Sequence, residues 1–184
     1  VSFNAYRTDW KDRFLRRTQN ISSPIPGGMT VNAYANIEGI KEIHQGFELE
    51  LRSKITDYLS LTGMVAVADW YYKGNATGTL FNEANEPIDD LGNVTSGVAG
   101  LRTLLLDDVK VGDAAQTTAA FGFVLEPVRD LKFDASYRYI DRLYGRLNVL
   151  DFAGPNPSVT EALRLPSYGL FDAGLSYKLR LNNE

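Results

Sequence analysis

Few side chains in this sequence of 184 residues could carry out a reaction. There is one histidine, His44, and no cysteine. That excludes a thiol nucleophile, a Cys-based zinc site, an iron–sulfur cluster, a disulfide framework and a site built of several histidines. His44 with Glu42 or Glu48 and a serine would be the material of a hydrolytic triad, the imidazole moving a hydroxyl proton and the carboxylate orienting the ring. In a strand, Glu42, His44 and Glu48 share one face by parity. No nucleophile-elbow sequence accompanies them, so His44 reads as an ordinary polar residue of a lumen or interface, and no catalytic residue is expected. The run Asn82-Glu83-Ala84-Asn85-Glu86-Pro87-Ile88-Asp89-Asp90 could offer oxygen ligands to a hard cation, but it lacks EF-hand spacing and reads as a solvated loop. Gly27-Gly28 and Gly97…Gly100 do not match a phosphate-cradling loop. Neither a metal nor a cofactor is expected. The remaining group is Trp70-Tyr71-Tyr72, whose aromatic faces suit sugars or planar chelates; these are the candidate ligand-binding residues.

The elements that must position these residues follow a period of two, the period of a strand. Leu131, Phe133, Ala135, Tyr137 and Tyr139 point one way, and Lys132, Asp134, Ser136 and Arg138 the other. Phe171–Arg180 alternates in the same manner, and so does Gln45–Ile55, with Phe47, Leu49 and Leu51 against Glu48, Glu50 and Arg52. Tyr58–Tyr72, Gln116–Glu126 and Val1–Trp10 are softer versions, giving about six strands. Thr56-Asp57 and Glu126-Pro127-Val128-Arg129-Asp130 are tight connections. Between them fall long polar links: Lys11–Val31, with Ser22-Ser23-Pro24 and Pro26-Gly27-Gly28; Lys73–Ala115; and Gly145–Pro166. Leu101–Val111 reads as a short helix or a hairpin extension.

Tight and long connections alternate strictly, which puts all the tight turns at one end of the sheet. That is the layout of an outer-membrane β-barrel, with short periplasmic turns and longer external loops. A soluble antiparallel β-sandwich or open barrel, acting in binding or structure, alternates in the same way and is the competing reading. Strand length favours the barrel: Tyr58–Tyr72 reaches about 45 Å at ~3.3 Å per residue, more than a tilted crossing needs. So does the placing of aromatics at strand ends, with Trp10, Trp70-Tyr71-Tyr72, Tyr139 and Tyr144 near one rim and Tyr58 and Tyr177 near the other. The charged face, Glu48, Glu50, Arg52, Lys132, Asp134, Arg138, Lys178 and Arg180, would pair across strands in a polar lumen. No run of ~20 apolar residues is present to form a membrane-crossing helix. The net charge of −4 argues against nucleic acid as a partner.

Several segments resemble the barrel of TonB-dependent outer-membrane receptors. Glu38-Gly39-Ile40-Lys41-Glu42-Ile43-His44-Gln45-Gly46-Phe47-Glu48-Leu49-Glu50 is similar to a strand of that family ending in Glu-Leu-Glu. Leu59-Ser60-Leu61-Thr62-Gly63 running to Asp69-Trp70-Tyr71 resembles the strand after it. Val111–Thr118 and Leu165–Tyr177 look like the start of a descending strand and a late barrel strand. The resemblance implies a 22-stranded barrel of the Gram-negative outer membrane, closed by a plug domain, driven by the TonB complex and embedded in outer-membrane lipid. It also implies import of a bulky nutrient: a siderophore, haem, cobalamin or glycan cargo, in glycan importers beneath a surface lipoprotein. No TonB box or plug is found here, and residues 1–184 are expected to be one partial barrel domain from the C-terminal half. On this reading the protein is a transporter rather than an enzyme, and Trp70, Tyr71 and Tyr72 sit at the external rim.

Overall fold

The computed structural model describes residues 1–21, 30–96 and 100–179. The Ser22–Gly28 stretch, Gly97, Arg180 and the terminal Leu181-Asn182-Asn183-Glu184 lie outside the described residues. One antiparallel sheet holds β1 (Ser2–Ile21), β2 (Val31–Lys54), β3 (Leu59–Tyr72), β4 (Ala76–Asn82), β5 (Pro87–Ile88), β6 (Leu101–Leu104), β7 (Ala115–Val128), β8 (Leu131–Leu143) and β9 (Tyr168–Tyr177). β1, β2, β3, β7, β8 and β9 form an up-and-down meander, and the sheet does not close on itself among the described residues. The tight turns fall where the sequence puts them. Ile55 N donates to Leu59 O at 2.9 Å, and Arg129-Asp130 closes β7 onto β8 with Asp130 at φ 68°.

Strand register decides what each face of this meander is. Leu51, Gly63, Phe121, Tyr137 and Phe171 stand in one row from β2 to β9. Arg52, Thr62, Gly122, Ser136 and Asp172 stand in the next row, on the opposite face. A slip of one residue in any pair would mix the two sets. The apolar side is left open to the surroundings, with Phe171 70% and Leu175 73% exposed. On β8 it runs from Leu131 to Tyr139, which at ~3.3 Å per residue and a tilt of ~40° gives a band roughly 20–25 Å tall. In the barrel layout expected from the sequence, the long apolar side is the outward one and the polar side the lumen side.

The structure corrects the sequence reading in three places. First, β1 and β2 run far beyond Trp10 and Gln45, so most of Lys11–Val31 is strand rather than link. Alternation breaks there because of two opposed bulges. Asp12 (φ 52°) adds a residue to β1 and the Glu38-Gly39 step (Gly39 φ 70°) adds one to β2, which switches the parity of each strand and restores the register. Second, Lys73–Ala115 is no structureless loop, and the strands number nine rather than about six among the described residues. The pairs Val67↔Thr117, Tyr71↔Lys110, Ala76↔Leu104 and Leu80↔Ile88 show β3 and β7 continuing outward as one interrupted hairpin. Leu101–Val111 is its extended descending branch, not a helix. Third, among the described residues the charges expected to pair across the wall's polar face do not do so, Arg180 lying outside them. Lys132 meets Asp134 of its own strand at 3.7 Å, and Glu50, Arg52 and Arg138 form no ion pair among the described residues. The intervening strands explain this, since the residues that β3 and β7 place between them on that face, Ser60, Thr62, Met64, Ala66, Thr118, Ala120, Gly122 and Val124, carry no charge.

Above the wall the chain builds a cap with its own core. Ile21, Ala35, Ile37, Ile40, Leu80, Ile88, Leu104, Leu106, Val149 and Phe152 are buried together on the lumen side of the β1–β2 extension. Residues 103–105 pair with 152–154, which joins the two long connections into one body: Leu105 N donates to Phe152 O at 2.9 Å, and Gly154 N to Thr103 O at 2.8 Å. β4 carries Gly78 where a Cβ would stand 3.2 Å from Leu104 and 3.3 Å from Val149, so the core closes directly over its backbone.

Candidate rim site between wall and cap

Where the wall meets the cap, β1, β2 and β3 bring Trp10, Glu42 and Tyr72 into one lumen-side row, and Thr8, His44 and Trp70 into the next. Glu42 is 1% exposed, and a charge so deeply placed requires partners. It has two: the Arg13 guanidinium contacts Oε2, and His44 Nε2 donates to the same oxygen at 2.9 Å. Arg13 reaches Glu42 because the extra residue at Asp12 turns it onto this face. Its guanidinium also lies 5.3 Å from the Trp10 ring centroid, a cation–π contact.

His44 stacks on Trp70 with ring centroids 5.0 Å apart and planes 15° from parallel, and Trp10 meets its edge at 6.5 Å. Trp70 Nε1 donates to the Tyr6 hydroxyl at 3.0 Å. Gly46, opposite Tyr6 and Ala68, makes this closeness possible. A Cβ there would lie 2.7 Å from Val67 O and 3.0 Å from the Tyr6 hydroxyl oxygen. The result is an ordered aromatic platform, fixed from the cap side by a carboxylate.

The triad suggested by the sequence is half assembled. Glu42 and His44 form the acid–base pair, while Glu48 instead accepts a 3.5 Å hydrogen bond from Asn4 Nδ2. Among the described residues no hydroxyl is hydrogen-bonded to His44, and its ring face is taken by Trp70. The arrangement can stack a flat ring or present donors, but it contains no poised nucleophile.

The three candidate ligand residues take three different environments. Trp70 lies on the lumen side within the platform. Tyr71 lies on the outward side, paired with Ile43 and Lys110, with Lys110 Nζ 5.3 Å from its ring centroid. Tyr72 is 3% exposed and packs in the cap core. In the acidic run, Asn82 Oδ1 accepts from Glu86 N at 2.9 Å and Asn85 adopts φ 64°, so these residues shape the β4–β5 turn. No three metal-ligating side chains come together among the described residues.

Two residues that the sequence did not single out hold the junction. β3 stops pairing with β7 above Val67↔Thr117; Val111 N donates to Trp70 O at 3.0 Å, and the Trp70 N–H is left without a backbone acceptor on that edge. The side-chain amide of Gln116, 1% exposed, fills the gap: Oε1 accepts from Trp70 N at 3.0 Å, and Nε2 donates to Trp70 O at 2.9 Å. Arg142 then donates to Ala68 O at 2.7 Å and Gln116 O at 3.1 Å. A lone glutamine at the start of a strand carries no signal of this in sequence. Higher up, Asp113 accepts from Arg17 at 3.1 Å and Arg146 at 2.8 Å. Beside them a cavity of about 300 Å³ in the cap is lined in part by Val109, Arg146, Leu147, Phe152, Glu161 and Leu163.

Comparison with known proteins gives one match. A family model described as "TonB dependent receptor-like, beta-barrel" matches residues 1–183. No curated protein and no solved structure matches the chain.

Proposed function

Since the chain belongs to the TonB-dependent receptor-like β-barrel family, we propose that it forms a stretch of barrel wall and external cap through which a bulky nutrient is captured and imported. Members of this family are outer-membrane transporters of Gram-negative bacteria, and the intact receptor works with a plug domain and the TonB complex. The cargo class on this reading is a siderophore chelate, haem, cobalamin or a glycan. Trp70 is the residue assigned to cargo contact, with Tyr72 and Tyr71 bracing it from the cap core and the outward face.

The observation carrying the proposal is the register. Through the wall six successive strands keep one apolar side and one polar side, register shifts falling only near the strand ends and at the base of the cap, and the apolar side is bare. A β-sandwich would cover that side with a second sheet. Protease shaving of intact cells expressing the whole receptor tests both membrane placement and orientation. The expected cuts fall in the β4–β5 turn around Glu83–Glu86 and within 155–161, with Thr56-Asp57 and Arg129-Asp130 protected until the outer membrane is opened. Cleavage at the tight turns on intact cells would overturn the orientation. Release of a soluble protein on lysis would overturn the transporter reading.

A further inference from the structure

The outward side of the sheet carries a second pattern just beyond the apolar band. Going outward from Phe47 and Val67, one register row holds Arg7, Gln45 and Asp69, and the next holds Asp9, Ile43 and Tyr71. Above that, Lys41 and Lys73 stand opposite each other, Lys73 N donating to Lys41 O at 2.9 Å, and Lys11 follows Trp10 on β1 where the Asp12 bulge breaks the register. Three lysines thus gather on adjacent strands, Lys41 and Lys73 at the ~4.8 Å spacing of a sheet and Lys11 next along β1 after Trp10. All three are exposed. Like charges directly opposite one another repel and weaken a sheet.

Nearby carboxylates do not relieve this. Asp69 is engaged by Lys110 Nζ at 2.6 Å, and Asp107 Oδ1 accepts from Gly74 N at 2.6 Å. Asp9 lies one row below, and Asp12 and Glu38 lie at the two bulges. None of these closes an ion pair with Lys11, Lys41 or Lys73 among the described residues. An anion with several charged oxygens, lying across the row, would remove the repulsion.

The height of the row identifies the anion. Tyr71, one row below, occupies the level at which amphipathic rings mark a membrane interface. The lysines stand roughly 5 Å above it, two residues along a tilted strand, where their stems can follow the apolar surface and their ammonium groups reach the headgroups. We propose that Lys11, Lys41 and Lys73 form a binding site for the phosphate-bearing headgroup of an outer-leaflet lipid. The site rests on the outer-membrane reading above and adds a specific lipid contact to it.

The test uses the whole receptor, purified from outer membranes in mild detergent, with bound lipid counted by native mass spectrometry. The wild-type receptor is expected to retain phosphate-bearing lipid through detergent washing and to lose it in high salt. The triple variant Lys11→Gln/Lys41→Gln/Lys73→Gln should retain at least fivefold less, while Lys54→Gln, at the opposite rim, should match the wild type. Equal retention by the triple variant and the wild type would overturn the site. So would equal thermal stabilisation of delipidated receptor by inorganic phosphate and by the lipid, which would mark a free-anion site. Outer-membrane recovery is scored separately: its failure in the wild type removes the transporter reading, whereas normal recovery with unchanged lipid removes only the headgroup site.

Discussion

At the scale of single residues, the rim site depends on Glu42 more than on its only histidine. Removing the carboxylate strands Arg13 and His44 around an apolar hole. Breaking such a buried pair costs about 3–5 kcal/mol, and Arg13's partial access to water lowers this to roughly 2 kcal/mol for Glu42→Ala. The expected readout is earlier proteolysis of the cap in the whole receptor at rising temperature, with Glu42→Gln recovering part of the loss. Trp70→Ala should lower cargo affinity while leaving outer-membrane assembly intact, and unchanged growth on every candidate cargo would remove Trp70 from the cargo path. A pH response belongs to Asp89 in the cap. Backbone hydrogen bonds, first from Asn93 and also from Leu91, hold its carboxyl below its ordinary value of 3.8. Its contribution is therefore complete above that value and is lost as pH falls through the lowered one. Amide exchange at Asn93 and Leu91 should accelerate in that acid window, and Asp89→Ala should show the fast rate already at neutral pH.

At the scale of elements, the junction between β3 and β7 is held by a side chain acting as a strand. Gln116→Leu keeps the volume but leaves the Trp70 N–H without a partner, while Trp70 O keeps its bond from Val111 N, a loss of about 1–3 kcal/mol. Exchange at Trp70 N should rise, with little change at Val67. Substituting Leu104→Ala in the cap core should cost about 2–5 kcal/mol and loosen the cap without affecting barrel assembly. The wall was legible in the sequence because a strand with one lipid face and one wet face must alternate, as Leu131–Tyr139 does. The shared face of Glu42 and His44 was legible for the same reason. The upper halves of β1 and β2 were hidden by Asp12 and Gly39, since a bulge inverts the alternation that a reader follows. The short β4, β5 and β6 were hidden because Thr-Gly-Thr and Pro-Ile carry too little pattern to stand out from a polar link. The pairing that makes Gln116 a backbone substitute is a property of two distant segments meeting, which no local pattern encodes.

At the scale of the whole molecule, the outward and lumen faces make opposite predictions for the same substitution. Leu175→Arg sets a guanidinium in the lipid band at about 2–4 kcal/mol and should block assembly, whereas Ser176→Arg faces the lumen and should be tolerated. Heat-modifiable gel mobility of the whole receptor separates the two outcomes, and equal tolerance would reverse the face assignment. Compensating bulges give the assembly a further property. Because Asp12 and Gly39 cancel, the ladder between β1 and β2 shifts register once, returns to it and runs on into the cap. A lid opens by bending at a place where hydrogen bonds are few, and on this ribbon that place is the bulge pair at the base of the cap, where the ladder is broken on both sides of Arg13↔Ile40. The cap is cantilevered on the wall through this interrupted ribbon, so any tilt of the ledge turns about Asp12 and Gly39.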